Sequence, residues 1–422
     1  MRASRVKYMV LVLIIILLHS SALFGQAVDP AVARNGMVVS TDRLASKAGL
    51  EILKKGGNAI DAAIATAFAM AVTYPSCGNI GGEGFLLYYG NDGVVSAIDF
   101  RTQAPAAATQ KMFLNEKGTG YKKSHIKGLH ITDSPVSVGI PGTVAGLALA
   151  HRKFGRLPWS DLIEPAVELA VKGFPVSERL HNEMKDSRKY FLKYTSSTKF
   201  FLKENKKVYE AGEIWRQPDL AETLKRIQEH GEGEFYTGQT AELIAASMKE
   251  HGGLITVEDL KNYRAIEREA EHSTYRGYDI YAMPLPSSGG ITQTEILNIL
   301  EGYNVEEKGH NSALYLHVLA EAMRRAYWDR ALHLGDPDFN SDIPEERLKS
   351  KEYAGFLRTT IDLEHASKSK ELENTLKSHG SRETTHFSVV DSGGNAVSIT
   401  YTLNGDFGAY LVAEGTGIVL NN

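Results

Sequence analysis

The chain has 422 residues, 43% hydrophobic and 23% charged, with 39 glycines, 13 prolines, one cysteine and a formal net charge of −4. These proportions exclude a disordered, collagen-like or disulfide-stapled protein. They carry neither the basic surplus nor the basic cluster of a nucleic-acid binder.

The amino terminus reads as an export signal. Arg2, Arg5 and Lys7 form a positive segment, Met9–Leu18 is uninterruptedly apolar, and small residues follow, with Ala22 or Gly25 as the last residue removed. Ten apolar residues fall short of the ~20 that span a bilayer, so residues 1–25 are expected to be cleaved rather than to serve as a membrane anchor. An exported chain with only Cys77 can form no intrachain disulfide.

Thr41 or Asp42 can cap a helix carrying Leu44, Ala48 and Ile52, stopped by Gly56-Gly57. Asn58 can cap Ala59–Thr73, a segment charged only at Asp61 and so expected to be buried on nearly all sides. Pro75 ends it. Gly78–Gly84 then leads into a core strand, Phe85–Tyr89, and a second strand, Val94–Phe100, delivers Arg101. The glycine-rich segment follows a helix and precedes a strand, the reverse of a dinucleotide cradle, so close backbone packing is its expected purpose. Further helical patterns cover 160–171 and 237–250. Residues 185–210, basic and aromatic, read as solvated helix and loop. Ser312 caps a helix through Leu332, and the polar stretch 363–382 reads as an exposed connector. Thr384–Asp391 and Ala396–Leu403 flank Ser392-Gly393-Gly394-Asn395, a hairpin signal. Helical clusters followed by an antiparallel hairpin point to an α+β layered fold. The chain stops at Gly417–Asn422, directly after an apolar run, whereas domain ends are more often polar and frayed.

Zinc motifs, a Walker loop and paired cysteines are missing from the sequence. Cys77 has no activating neighbour and reads as structural. Arg101, at a strand end, could hold a carboxylate bidentately or make an intraprotein salt bridge. A three-residue hairpin loop would set Thr384 opposite Thr402; a two-residue loop would shift the pairing by one. Paired threonines on strands usually stabilise the sheet. If the Glu383–Thr384 bond broke, however, the α-amine of Thr384 (ordinary pKa ~8) could act as general base for its own hydroxyl.

Seven segments, in order, resemble the γ-glutamyltransferase family, also called γ-glutamyltranspeptidase or glutathione hydrolase. They are Gly56–Ala63, Gly81-Gly82-x-Gly84-Phe85, Asp99-Phe100-Arg101 with Ala104-Pro105, Gly139–Leu147, Pro286–Gly290, Asp329-Arg330 with Leu334–Pro337, and Thr384-Thr385-His386 through Tyr401–Asn404. The resemblance implies an N-terminal-nucleophile hydrolase fold, a four-layer αββα sandwich. It implies a precursor that cuts itself at Glu383–Thr384 into a large subunit (26–383) and a small one beginning at 384, which stay associated. Thr384 would be the nucleophile, Thr402 its hydrogen-bonding partner, Arg101 the ligand of the substrate α-carboxylate, and Asn404 a ligand of its α-amino group. The substrates implied are glutathione and other γ-glutamyl compounds, with water, amino acids or dipeptides as acceptors. No metal or organic cofactor, nucleic acid or stable membrane anchor is implied, and the location is periplasmic or secreted.

The sequence departs from the family pattern at three places. Glu83 stands where another glycine is usual and Thr102 where an acidic residue is common, which is expected to crowd the first site and loosen Arg101. The family also continues well beyond Asn422, supplying further substrate ligands and the oxyanion hole, so 384–422 is expected to be the first part of the small subunit. A related glutaryl or cephalosporin acylase, or a catalytically silent secreted homologue or fragment, is the alternative.

Overall fold

The segment Ala59–Thr73 shows how the sequence builds the core. It is a helix with all of its residues buried. Asn58 and Asp61 cap its first turn reciprocally, Asn58 Oδ1 accepting from Asp61 N (3.0 Å) and Asp61 Oδ2 from Asn58 N (3.0 Å). A buried carboxylate is costly unless bonded. Asp61 also accepts from the backbone N–H of Arg156 (3.0 Å) and Leu157 (3.2 Å), so the cap docks the end of the helix Thr143–Phe154 as well. Asp42, rather than Thr41, caps the preceding helix Arg43–Lys54.

The computed structural model describes residues 30–307, 309–368 and 384–422. The expected signal segment and Glu383 lie outside the described residues, as does most of the polar connector. Gly36–Asn422 forms one compact unit. Its strands, in chain order, are β1 (Gly36–Val39), β2 (Glu83–Tyr89), β3 (Val95–Asp99), β4 (Phe174–Pro175), β5 (Ile214–Trp215), β6 (Ile266–Arg268), β7 (Glu271–Tyr275), β8 (Tyr278–Ala282), β9 (Thr385–Asp391) and β10 (Ala396–Thr402). Six make one antiparallel sheet in the order β1-β9-β10-β2-β3-β6, while β4-β5 and β7-β8 are separate two-stranded pairs.

Strand alternation decides which face of the sheet is apolar. On β9 and β10, Phe387, Val389, Val397, Ile399 and Tyr401 are buried. The Tyr401 hydroxyl donates to Ala67 O (3.1 Å), which seats this face on the helix Ala59–Thr73. Burying each such aliphatic side chain contributes about 1.5–3 kcal/mol. The alternate residues Ser398, Thr400 and Thr402 are half-buried on the opposite face. The described residues thus contribute one sheet and a helical layer to the expected α+β layered fold.

The basic, aromatic segment 185–210 is not solvated as its composition suggested. It forms the helices Glu178–Phe191 and Thr195–Phe201, whose Phe191 and Phe201 stack at 4.1 Å and pack edge-on against Phe407. The charges occupy the outer faces while the rings join the core.

Helices Gly289–Glu301, Ala313–His333 and Lys351–Thr359 pack around a smaller apolar cluster containing Ile299, Val318, Ala322 and Leu357. Beside it Glu295 is buried near Asp329, which accepts from the Tyr353 hydroxyl at 2.8 Å and lies 3.7 Å from His333 Nε2. Burial, then the Asp329 charge, pushes the Glu295 carboxyl up to about 9, against a smaller opposing effect of Arg347. The folded state therefore holds a proton that the unfolded chain releases near the ordinary glutamate value. Stability from this group is complete below that value and is lost as pH rises toward 9. Glu295→Gln, which mimics the neutral acid, should raise the thermal midpoint at pH 8 and change it little at pH 4. Equal shifts at both pH values would show that Glu295 is not protonated in the folded protein.

Candidate active site

The turn of the β9–β10 hairpin sets the site. Asp391 N donates to Asn395 O (3.1 Å) and Gly394 N to Asp391 O (3.2 Å), leaving Ser392–Gly394 as a three-residue loop. Gly394 takes φ +88°, a conformation that glycine adopts without penalty. The Asp391 carboxylate accepts from Gly393 N (2.8 Å), Asn395 N (3.0 Å) and Ala59 N (2.9 Å). Its burial would raise the carboxyl pKa, but the bonds from Asn395, Ala59 and Gly393 outweigh that and hold it below the ordinary value. One carboxylate therefore fixes the loop and anchors it to the amino end of the central helix.

This loop length imposes the register. Tyr401 pairs with Thr385, and one step further along the same ladder Thr384 comes opposite Thr402. On the other side of β10, Thr402 pairs with Glu83. Phe85 pairs with Asp99, and Gly84 and Phe100 exchange both backbone bonds (3.3 and 3.0 Å), so Glu83 comes opposite Arg101. Thr384, Thr402, Glu83 and Arg101 thus form a single row across four adjacent strands on one face of the sheet. At ~4.8 Å per strand, the ends of the row are about 14 Å apart along the backbone.

Arg101 and Glu83 are in direct contact. Glu83 is 3% exposed, and its Oε2 accepts from Thr102 Oγ1 (2.7 Å), Thr102 N (2.8 Å) and Arg101 Nε (3.3 Å). The two departures from the family pattern therefore answer each other. The carboxylate that position 102 lacks comes from position 83, and Arg101 is held rather than loosened. Gly82 and Gly84 allow the approach: a Cβ on either would lie 2.2 Å from Thr402 O or 2.4 Å from Thr400 O. The Arg101 backbone is fixed by Asp99 Oδ1, which accepts from its N–H (3.0 Å), and by the Tyr263 hydroxyl, which donates to its carbonyl (2.7 Å). Burial, then Tyr236, Asp99 and Glu83, push the Tyr263 hydroxyl well above its ordinary value, so it stays a donor. The Arg101 side chain is 46% exposed. It lines a cavity of about 690 Å³ with Thr102, Tyr263, Arg268, Pro286 and Asp338. Its two terminal nitrogens make no hydrogen bond among the described residues.

Asn404 follows the row on the loop after β10, at φ +73°. Its N–H donates to Thr402 Oγ1 (2.9 Å) and its amide Nδ2 to Asn422 O (2.6 Å). Asn421, which sequence reasoning passed over, is fully buried. Its amide accepts from Gly139 N (2.8 Å) and donates to Gly81 O (2.9 Å) and Gly139 O (2.8 Å). Cys77 is buried, as a structural cysteine would be. Among the described residues, no group of three or more His, Cys, Asp or Glu side chains is placed to hold a metal.

Residues 45–422 match the model of the Gamma-glutamyltranspeptidase family. The chain belongs to this family. It is 45% identical over 395 residues to the glutathione hydrolase proenzyme of Escherichia coli K12, covering 93% of this chain and 67% of that protein. The crystal structure of Helicobacter pylori gamma-glutamyltranspeptidase superposes with a TM-score of 0.77 at 40% identity, over 83% of this chain and 99% of that one. The cephalosporin acylase of Bacillus halodurans superposes with a TM-score of 0.79 at 29% identity, over 94% and 72%. Family membership makes the protein an enzyme of γ-glutamyl chemistry, and these neighbours establish the N-terminal-nucleophile hydrolase fold.

The closeness of β2 to β10 is directly testable. Gly82→Ala places a methyl against Thr402 O and should destabilise the protein by about 1–3 kcal/mol, as overpacking does. A chemical-denaturation midpoint equal to wild type would contradict the observed approach.

Proposed function

We propose that this protein is an exported γ-glutamyltransferase and glutathione hydrolase that matures by cutting itself before Thr384. The observation that carries this reading is the cross-strand row with a threonine pair at one end and an arginine at the other. Glutathione and its relatives present an α-carboxylate and, at the far end of a short carbon chain, a γ-amide. The long Arg101 side chain reaches inward along the row to Glu83, while Thr384 and Thr402 are short. On this reading one glutamyl unit lies between the guanidinium and the threonine pair.

Cleavage of the Glu383–Thr384 peptide exposes the Thr384 α-amine. With an ordinary pKa of ~8, it can take the proton of its own hydroxyl as the oxygen attacks the γ-amide carbon. The C–N bond breaks, the proton goes to the leaving amine, and a γ-glutamyl ester remains on Thr384. Water then releases glutamate, or the amine of an amino acid or dipeptide takes the γ-glutamyl group; either nucleophile returns one proton to the enzyme. Thr402, opposite the nucleophile, orients the hydroxyl, and the carbonyl oxygen of the Asn404 amide accepts from the substrate ammonium. Gly82 is not assigned to the oxyanion, because its N–H already donates to Asn79 Oδ1 (2.8 Å). No metal or organic cofactor enters these steps. The large and small subunits remain associated, since β9 and β10 lie inside the sheet between β1 and β2. Among the described residues, no helix is long and apolar enough to cross a membrane.

The cephalosporin acylase neighbour keeps a second substrate class in view, that of glutaryl or cephalosporin side chains. The anchoring of an α-amino acid by Arg101 and Asn404 favours the γ-glutamyl reading. Comparing hydrolysis of γ-glutamyl-p-nitroanilide with that of glutaryl-p-nitroanilide decides between them.

Thr384→Ala should leave a single uncut precursor with no turnover on denaturing gels and in assays. Normal processing of that variant would refute the nucleophile. Arg101→Ala should still process. Losing hydrogen bonds to a charged group costs about 1.5–3 kcal/mol, so KM for γ-glutamyl donors should rise roughly tenfold to a hundredfold. An unchanged KM would remove Arg101 from the substrate site.

A further inference from the structure

We infer that Glu83 is a positioning residue, which holds the Arg101 guanidinium by its Nε so that both terminal nitrogens face the substrate carboxylate. This rests on the reading of Arg101 as the carboxylate anchor. Glu83 lies between the two functional ends of the row, opposite Thr402 on one side and Arg101 on the other. One of its oxygens accepts three bonds, two of them from Thr102 at 2.7 and 2.8 Å. Thr102 therefore fixes the carboxylate, and the carboxylate in turn fixes the cation.

The geometry suits that division of labour. A guanidinium presents its donors in a planar fork, so a bond at Nε leaves the Nη edge for bidentate recognition. Arg101 is a long side chain, 46% exposed, and unaided it would sample many rotamers. Freezing those rotamers during substrate binding weakens affinity, whereas a residue ordered beforehand avoids the loss. The Phe85 ring, 5.9 Å from the guanidinium carbon, gives it a second surface to rest on.

Glu83 also places a negative charge near an incoming carboxylate, an effect that opposes binding. The bond at Nε and the partial neutralisation of the pair act in different directions on KM. A buried carboxylate carrying three donors is already compensated locally, so orientation is expected to win.

A double-mutant cycle on the full-length protein tests this. Glu83→Ala and Glu83→Gln are each combined with Arg101→Ala, and KM and kcat for γ-glutamyl-p-nitroanilide are read together with the rate of precursor processing. Glu83→Gln preserves the shape and an acceptor for Thr102, and guards against failure of Glu83→Ala to fold. Glu83→Ala should raise KM about three- to tenfold with kcat within about twofold, and Glu83→Gln should lie between it and wild type. In the Arg101→Ala background neither substitution should raise KM further, because a residue acting through Arg101 loses its effect when Arg101 is gone.

Equal factors in both backgrounds would mean that Glu83 acts structurally, and would overturn the proposal. A lowered KM would mean that repulsion outweighs orientation, and would overturn it as well. If Arg101→Ala alone leaves KM unchanged, the anchor itself is wrong and this proposal falls with it. If Arg101→Ala raises KM and the Glu83 variants do not, the proposal fails and the anchor stands.

Discussion

The site depends on a register, and the register depends on one carboxylate. Asp391 closes a three-residue loop and ties it to the first turn of the buried helix Ala59–Thr73. A slip of β9 by one residue against β10 would turn the side chains of β9 to the other face of the sheet. Phe387 and Val389 would then leave the helix, and Thr384 would point into the core. Burial of the apolar face and placement of Thr384 are thus one constraint, enforced twice. The capping box at Asn58 and Asp61 holds the helix against which that register is read.

From this register the rest of the row follows by strand pairing alone. It spreads the side chains of the proposed site over β9, β10, β2 and the end of β3, regions far apart in sequence. The glycines on either side of Glu83 bring β2 close to β10, and Asn421 bonds the Gly81 and Gly139 carbonyls into the same layer. Arg101 is held at its backbone by Asp99 and Tyr263 and at its head by Glu83. A rigid sheet, rather than a mobile loop, therefore sets the distance between Arg101 and Thr384, the proposed carboxylate anchor and nucleophile. Such preorganisation is what makes positioning effective in acyl transfer.

Much of this was legible in the sequence where the determinants are local. The turn residues Ser392–Asn395 implied the hairpin and narrowed its loop to two or three residues, and the three-residue case is the one that pairs Thr384 with Thr402. Asn58 with Asp61 implied the buried helix. Family resemblance supplied the chemistry that those residues alone left open. What the sequence hid depends on distant contacts. Glu83 stood out only as an intrusion among glycines, because its partners at 101 and 102 become neighbours only when β2 and β3 pair. The rings of Phe191 and Phe201 read as solvated because Phe407, which buries them, lies some two hundred residues on. The carboxyl of Glu295 gave no local sign of its environment, which helices from separate segments assemble.

In the proposed site, one row of side chains spans a glutamyl unit from carboxylate to reacting carbonyl. A crystal structure of the mature protein with glutamate bound tests it most directly. The row predicts that the α-carboxylate lies on the terminal nitrogens of Arg101, with Nε still on Glu83, and that the γ-carboxyl carbon lies in contact with Thr384 Oγ1. Glutamate bound in the reverse sense, or away from Arg101 with Thr384 unoccupied, would contradict it.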